Sequence, residues 1–397
     1  MKHWTLVFTC LAISLLQLRA AEAEPKHRLI FPFQSKHVHS SSIVQCPNGD
    51  LLAVWFHGTG ERTANDVQIQ GSRLRHGQDT WDPPFIAADT PNVPDCNPVV
   101  FLDPQQRLWL IWIVVQANRW EHSILKYRIS DNFQNPGPPQ WKWQEIILLQ
   151  PDANFPDQIK DGFKKLGYKR DMWGEYARPY DELIVEAARD QTKRETGWMT
   201  RCLPLILPSG RILLPLYSDG FNLSMIAISD DAGTTWRTSQ PLVGLGNIQP
   251  TLARRKDGTL LAFMRDGGGP PYRVLTSLSR DEGQTWSIAT DTSLPNPGSS
   301  VAITVLADGR WIIALNDTER GRHQLSIAIS TDEGQTWPRR KTIQQTQFQQ
   351  GSFAYPTLIQ TPSGKIHITY SIQQSQGASI QHTELSPTWL DNQTTAF

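Results

Sequence analysis

The chain has no excess of charge of either sign and no apolar run long enough to cross a membrane. Lys plus Arg and Asp plus Glu both total 38 in 397 residues. This balance gives no reason to expect a nucleic acid or an anionic membrane as a partner. The longest apolar run, from Trp4 to Leu16, is too short to span a bilayer. The sequence therefore predicts a protein with no nucleic-acid partner and no membrane span.

Cysteine is also scarce, with four residues in the whole chain. There is no CxxC, no zinc-type Cys/His spacing and no EF-hand-like Asp spacing, so the sequence predicts neither a metal nor a cofactor. If Cys10 is removed with the N-terminal segment, Cys46, Cys96 and Cys202 remain. Three cysteines allow at most one internal pair. Both a Cys46–Cys96 bridge and three buried thiols fit this count.

The first 23 residues have the pattern of a secretory signal. Lys2 and His3 precede the apolar run, and Ala21-Glu22-Ala23 has the small-residue form of a cleavage site. The alternative is an N-terminal helix of a cytosolic protein. The pattern predicts a signal peptide at 1–23, a mature chain from 24 to 397, and a secreted or periplasmic location.

Three copies of one octapeptide, S-x-D-x-G-x-T-W, lie in the C-terminal half of the chain. They occupy 229–236, 279–286 and 330–337, and their tryptophans lie 50 and 51 residues apart, a spacing typical of propeller blades. Each copy suits a hairpin tip. Its Asp can accept hydrogen bonds from backbone N–H groups, its Gly can adopt positive φ, and its Trp can pack between neighbouring sheets.

A second repeat, an apolar strand followed by a tight turn and another apolar strand, occurs six times. Its turns are at Gly49, Gln106, Gly210, Gly258, Gly309 and Gly364. Most lie roughly 50 residues apart, but 104 residues separate Gln106 from Gly210. The extra length, about 140–197, includes the helix-like segments 155–165 and 181–194. It either caps one face of the molecule or is a solvated decoration.

The octapeptide is the Asp-box, and the chain resembles the sialidase-like (neuraminidase, BNR-repeat) β-propeller superfamily. The resemblance covers about residues 36–385 except the insertion. It implies an all-β fold, a six-bladed β-propeller with a partly helical insertion between blades two and three. It also implies a glycan or polysaccharide substrate.

Equivalent positions of the six repeats should converge on one mouth of the central channel, because each innermost strand begins there. Nine residues before each turn stand six residues: Ser40, Asn97, Arg201, Gln249, Ser300 and Tyr355. Seven residues after each turn stand six others: Phe56, Ile113, Tyr217, Arg265, Asn316 and Ser371. Arg265 follows an apolar strand, where a charge is costly unless it faces a polar cavity. An ion pair with Asp266 or Asp219 is the alternative.

Sialidases hold the substrate carboxylate with three arginines and use a Tyr nucleophile that a Glu polarises. By resemblance, Arg265 and Arg322 match two of these arginines and Tyr355 matches the nucleophile. The chemistry is coherent, because guanidinium groups bind a carboxylate bidentately and a Tyr hydroxyl beside cations can ionise enough to attack an anomeric carbon. The resemblance therefore predicts an acidic sugar at this mouth.

The chain also departs from the sialidase pattern. His39 and the serines after it stand in place of the first arginine, and Gln249 stands in place of the Glu. The loop that carries the acid/base Asp in sialidases offers Glu61 here. We expect His39 and Glu61 to supply the proton transfers, since a neutral His is a competent base and burial can raise the pKa of a Glu.

Further candidates lie outside the matched positions. Arg201 stands at the start of the third innermost strand, a blade that sialidases do not use for their arginines, and is predicted with Gln249 to contact the substrate. If the insertion folds over the mouth, it offers carboxylate and phenol groups. These are Glu175, Tyr176, Asp181 and Glu182.

Three functions fit this set of residues. The first is a secreted exo-α-sialidase-like glycoside hydrolase. The second is a polysaccharide lyase, in which the arginines neutralise a uronate and His39 or Tyr355 abstracts a proton, so that no Glu is needed. The third is a carbohydrate-binding propeller without turnover, which the missing Glu and first arginine favour.

Overall fold

The strands of the chain form six antiparallel sheets arranged as the blades of a propeller. The computed structural model describes residues 24–167 and 179–391. The predicted signal peptide at 1–23, Glu175 and Tyr176 lie outside these residues. The predicted all-β fold with six blades is confirmed.

Blades one to three contain strands β2 to β14, and β1 belongs to the last blade. Blade one consists of β2 (His37–Gln45), β3 (Leu51–Gly58), β4 (Gln68–Leu74) and β5 (Phe85–Ala88). Blade two consists of β6 (Asp95–Leu102), β7 (Leu108–Val115), β8 (Ser123–Ser130) and β9 (Trp143–Ile147). Blade three consists of β10 (Met199–Thr200), β11 (Leu205–Ile206), β12 (Ile212–Ser218), β13 (Leu223–Ser229) and β14 (Arg237–Thr238).

Blades four to six repeat the same four-stranded arrangement. Blade four consists of β15 (Asn247–Arg254), β16 (Leu260–Asp266), β17 (Arg273–Ser279) and β18 (Thr290–Pro295). Blade five consists of β19 (Ala302–Val305), β20 (Trp311–Leu315), β21 (Gln324–Ser330) and β22 (Arg339–Gln345). Blade six consists of β23 (Ser352–Gln360), β24 (Ile366–Gln374), β25 (Gly377–Leu385) and the N-terminal strand β1 (Lys26–Leu29).

The ring is closed by strands from the two ends of the chain. β1 pairs with β25 in antiparallel register, Lys26 opposite Glu384 and Leu29 opposite Gln381. The outermost strand of blade six is therefore β1, so the first and last strands of the described residues lie side by side in one blade.

The strand order gives the propeller two distinct faces. Each innermost strand starts on one face and the second strand returns to it, so the loops between second and third strands lie on that same face. We call it the mouth face, and its six loops are 59–67, 116–122, 219–222, 267–272, 316–323 and 375–376. The tight turns and the Asp-boxes lie on the opposite face.

The Asp-boxes have the hydrogen bonds that their sequence predicts. In the first copy, Ser229 Oγ accepts from Gly233 N at 2.8 Å and Asp231 Oδ1 accepts from Thr235 N at 2.9 Å. Gly233 has φ 85°, and the Trp236 ring meets Trp109 of blade two edge-on at 6.4 Å. The box therefore closes a hairpin tip and packs one blade against the next.

The residues between blades two and three form a helical excursion that packs on the propeller. It contains α1 (Phe155–Leu166), α2 (Tyr180–Arg189) and α3 (Gln191–Glu195). The predicted start near residue 140 falls beside β9, which completes blade two, so the excursion begins after Ile147. Phe155, Ile159 and Phe163 on α1 and Ile184 and Ala188 on α2 are buried in one apolar cluster with blades two and three. No helix of the described residues is long and apolar enough to cross a membrane.

The three cysteines of the described residues are free thiols. Cys46, Cys96 and Cys202 are all buried, and no disulfide joins any two of them. Burial raises the pKa of each thiol. Of the two alternatives that the cysteine count allowed, the structure has buried thiols.

Candidate active site

Four innermost strands each carry a β-bulge at the mouth face. The central residue of each bulge has a left-handed backbone conformation. The φ angles are 57° at Ser40, 50° at Asn97, 55° at Gln249 and 57° at Tyr355. In all four blades the strand pairing shifts register across this residue. A bulge changes the direction of a side chain from the regular alternation between the two faces of a strand. A left-handed backbone conformation at a non-glycine residue is often found at functional sites. These are positions that the spacing from the turns had singled out.

Tyr355 lies at the centre of the cluster. Its hydroxyl accepts hydrogen bonds from Gln249 Nε2 at 3.1 Å and from Arg265 Nη1 at 2.9 Å. The guanidinium of Arg201 lies 4.9 Å from the centre of its ring and that of Arg322 lies 5.4 Å away. The His39 ring lies 4.1 Å from it. The structure thus brings together Tyr355 and five other residues that the sequence placed at this mouth.

Arg265 and Arg322 hold positive charge without a carboxylate beside it. Within the described residues, no carboxylate oxygen lies within 4.0 Å of either guanidinium. Arg322 Nη2 donates to the carbonyl of Gly298, at 2.8 Å, and Arg265 Nε is buried without a partner. Charges in such a place need an anion to offset the cost of burial. The two groups are therefore suited to a ligand carboxylate.

The alternative ion pair for Arg265 is absent. Asp266 accepts instead from the backbone N–H groups of Gly268, at 2.8 Å, and Arg273, at 3.1 Å, and so stabilises its own loop. Asp219 stands on the neighbouring mouth loop without a salt bridge to Arg265. Its carboxyl still feels the charge of Arg265, which lowers its pKa against a larger increase caused by burial.

Arg201 is buried beneath the Tyr355 ring. It is 1% exposed, and its guanidinium donates to the carbonyls of Pro356, at 2.9 Å, and Ser41, at 3.3 Å. Burial lowers its pKa. The Tyr355 ring and the backbone of blades one and six cover its charged group, so substrate contact by Arg201 stays a prediction.

Gln249 also lies beneath the mouth and not on its surface. It is 1% exposed and holds the Tyr355 hydroxyl through its amide nitrogen. Its Oε1 has no hydrogen-bond partner. Next to it, Tyr217 accepts from Asn97 Nδ2 at 3.1 Å. Gln249 positions Tyr355 but, as an amide, offers no base to remove the phenol proton.

His39 is held as a neutral imidazole. Its Nδ1 lies 2.8 Å from Ser371 Oγ, which also accepts from Ser40 N at 3.0 Å. Burial, then the positive charge of Arg322, places the pKa of His39 well below its usual range. A neutral imidazole in ring contact with Tyr355 is an available proton acceptor.

Glu61 does not have the raised pKa expected of an acid. Its Oε1 lies 3.4 Å from His37 Nε2, and this interaction with His37 lowers its pKa. Asp219 behaves in the opposite way, since burial raises its pKa. Asp219 is thus a candidate proton donor that the sequence analysis missed, since it considered Asp219 only as an ion-pair partner for Arg265.

The insertion candidates that the structure describes lie apart from the Tyr355 cluster. Asp181 and Glu182, in the first turn of α2, line a groove of about 330 Å³ together with Lys160 and Phe163 of α1. Within the described residues, no group of three or more His, Cys, Asp or Glu side chains is arranged to hold a metal ion.

The model of the BNR repeat-like domain matches residues 49–166 and 189–368 of this sequence. The chain belongs to this BNR-repeat family. The match leaves out residues 167–188, a range that includes Tyr180 to Ala188 of α2.

Known relatives extend the comparison. The sialidase of Micromonospora viridifaciens is 31% identical over 172 residues, which is 41% of this chain and 25% of the relative. The chain covers a quarter of the length of the curated relatives it matches. A Dyadobacter fermentans protein of unknown function superposes with a TM-score of 0.67 and 14% identity, over 92% of this chain and 98% of the other. A leech intramolecular trans-sialidase gives 0.66 and 13%, over 92% and 71%. The chain therefore has the sialidase-like propeller fold.

In this BNR-repeat propeller the repeat spacing predicts which backbone positions form the site. It does not predict how deeply each side chain is buried. Arg265, Arg322, His39 and Tyr355 reach the mouth, whereas Gln249 and Arg201 support them from below. A signal for Asp219 existed in the sequence, because it directly follows an apolar strand at the end that faces the mouth.

Proposed function

We propose that the protein is a secreted glycoside hydrolase of the sialidase-like superfamily that releases a terminal acidic sugar from glycans. The observation that carries this proposal is the pair Arg265 and Arg322 beside Tyr355, with no protein carboxylate within 4.0 Å of either guanidinium in the described residues. A sugar carboxylate would complete the site, because guanidinium groups bind carboxylates in a fixed, often bidentate geometry.

Each neighbouring group has a role in the proposed reaction. Tyr355 Oη forms a bond to the anomeric carbon while the glycosidic bond breaks, and His39 takes the phenol proton. Asp219 gives its proton to the departing oxygen, a role that its raised pKa favours over that of Glu61. Water then attacks the anomeric carbon, gives a proton back to Asp219, and releases Tyr355, which regains its proton from His39.

The buried Gln249 favours a second candidate, a carbohydrate-binding propeller without turnover. A Gln at this position stabilises the phenol in place but cannot take its proton. In such a protein the same two arginines would bind an acidic glycan. A lyase acting on a uronate is the third outcome of the test, because it too needs no carboxylate beside Tyr355.

The three functions give different products from one experiment. The mature protein is incubated with glycans that end in sialic or uronic acids, and reducing ends and ultraviolet absorbance are followed together. A new reducing end supports hydrolysis, and an unsaturated product absorbing in the ultraviolet supports a lyase. Binding with neither product supports the non-catalytic reading. Asp219→Asn and Glu61→Gln then identify the acid, since only loss of the true donor removes the basic limb of the pH–rate profile.

We also propose export of the protein from the cytoplasm, on the pattern of residues 1–23. N-terminal sequencing of the protein expressed at full length tests this. A mature chain that begins near Glu24 supports export, and an intact N-terminus in the cytosol contradicts it.

A further inference from the structure

A second cavity opens on the mouth face where the helical excursion meets blades two and three. It has a volume of about 340 Å³, within the range of about 300–1,000 Å³ found for ligand sites. Two mouth loops and the ends of α2 and α3 line it. Its lining is Arg119, Glu121, His122, Ala187, Thr192, Lys193, Thr196, Ser218, Gly220 and Phe221.

This cavity adjoins the Tyr355 site through Asp219. Ser218 and Gly220, on either side of Asp219 in the chain, line the cavity, while the Asp219 carboxyl is close enough to Arg265 for the charge to affect its pKa. On the other side, the guanidinium of Arg62, next to Glu61, lies 5.5 Å from the ring of Trp120. The mouth and the cavity are therefore neighbouring parts of one surface.

The cavity is built on rigid supports. The end of the excursion is held to the blade-two loop, since Gly197 N donates to Ser123 O at 2.9 Å. A Cβ at Gly197 would come within 2.7 Å of Glu121 O. Phe221 is 2% exposed and stacks on Trp198 at 5.7 Å. A site held in this way is formed before a ligand arrives.

The lining suits an uncharged, polyhydroxylated ligand and not a second anion. It carries both signs of charge, and Arg119 is already paired with Glu121 at 2.5 Å. Hydroxyl, ammonium and carboxylate groups surround an aromatic wall at Phe221, and this mixture of convergent polar groups with an apolar wall is typical of small-molecule sites. The Tyr355 mouth differs, because two unpaired guanidinium groups dominate it.

We propose that this cavity, which we call the excursion subsite, binds the neutral sugar to which the acidic sugar is attached. The inference rests on the proposed function, since the acidic sugar must occupy the mouth. It assigns the helical excursion a role in substrate choice. The protein then favours an acidic sugar linked to a further sugar over one linked to a simple aryl group.

The test is saturation-transfer NMR on the folded protein, with a 3′-sialyllactose whose sialic acid is joined through sulfur as the probe, so that the proposed hydrolysis does not separate the two sugars. We expect saturation of the galactose protons as well as the sialic acid protons. Thr192→Phe fills the cavity and should remove at least half of the galactose signal while the sialic acid signal is kept. Gln191→Phe is the matched control, because it places the same bulk on the same exposed helix but does not line the cavity.

Each outcome decides one of the two ideas. Sialic acid saturation without galactose saturation in the wild type overturns the excursion subsite and leaves the proposed function standing. Saturation of neither sugar overturns sialic acid as the acidic sugar at the Tyr355 mouth, and the subsite with it. Lys193→Ala is a second test variant, which removes a cavity-lining side chain without adding bulk. If Lys193→Ala and Thr192→Phe both leave the galactose signal as in Gln191→Phe, the cavity does not bind this sugar.

Discussion

Acid should destabilise this propeller through a pair of buried histidines in blade six. His367 on β24 and His382 on β25 are 6% and 0% exposed. Their rings stack at 5.2 Å, with His367 Nδ1 3.0 Å from His382 Nε2. Burial lowers the pKa of His367 from 6.5 to about 4, and the pKa of His382 is lowered as well. The pair lies in the blade that closes the ring.

The sign and size of the effect follow from proton linkage. The unfolded chain binds a proton at His367 near pH 6.5, whereas the folded chain does so near pH 4, so the free energy of unfolding decreases as pH falls between these values. Above pH 6.5 the contribution of His367 to the free energy of unfolding is fully present. Below about pH 4 its protonation causes no further loss. At about 1.36 kcal/mol per unit, the loss from His367 is about 2 kcal/mol at pH 5.

Charges that face the pair add smaller effects to that of burial. Glu384 raises the pKa of His367, and Lys365 and Arg28 lower it. Urea denaturation at pH 7.5 and pH 5.0 measures the effect in the wild type and in His367→Gln, which does not titrate in this range. His122→Gln is the control, because that residue is exposed.

We expect His367→Gln to be less stable than the wild type at pH 7.5, because the stacked pair is broken, but to lose about 2 kcal/mol less on acidification. An equal loss in the wild type and in His367→Gln between the two pH values would refute the argument. The same loss in His122→Gln as in the wild type is required for the comparison to hold.

Three further predictions concern the mouth and the Asp-boxes. Tyr355→Phe should abolish turnover and leave most of the affinity for acidic glycans, and full activity in this variant would contradict its assignment. Gln249→Glu should raise the rate of sugar release about tenfold or more, because it adds a base beside the phenol; an unchanged rate at saturating substrate would show that no base is missing. Gly233→Ala should lower the free energy of unfolding by about 2 kcal/mol more than Gly210→Ala. Both glycines have φ near 86°, but only the Cβ at Gly233 would clash with Trp109, at 2.4 Å; equal losses in a denaturation assay would refute the steric argument.

The repeat spacing was sufficient to predict the fold and the backbone of the site, because blades repeat and their innermost strands meet. It put Tyr355 and Gln249 at equivalent positions, and both have the left-handed bulge. Side-chain depth depends on packing between blades that are distant in sequence, so the burial of Arg201 could not be predicted. The interaction of Glu61 with His37 was missed because it joins the loop after β3 to the first residue of β2, and the repeat pattern does not predict the path of a loop.

The pairing of β1 with β25 has a consequence for how the protein is made. A ring closed by its own first strand cannot be completed until the last blade has left the ribosome, so β1 must wait for nearly the whole chain to be synthesised. Contacts between such distant segments form slowly, and blade six presents an open edge until they do. The period between synthesis and closure is the stage at which the chain is most exposed to misassembly, and a chaperone or export factor that holds residues 24–29 would protect it most.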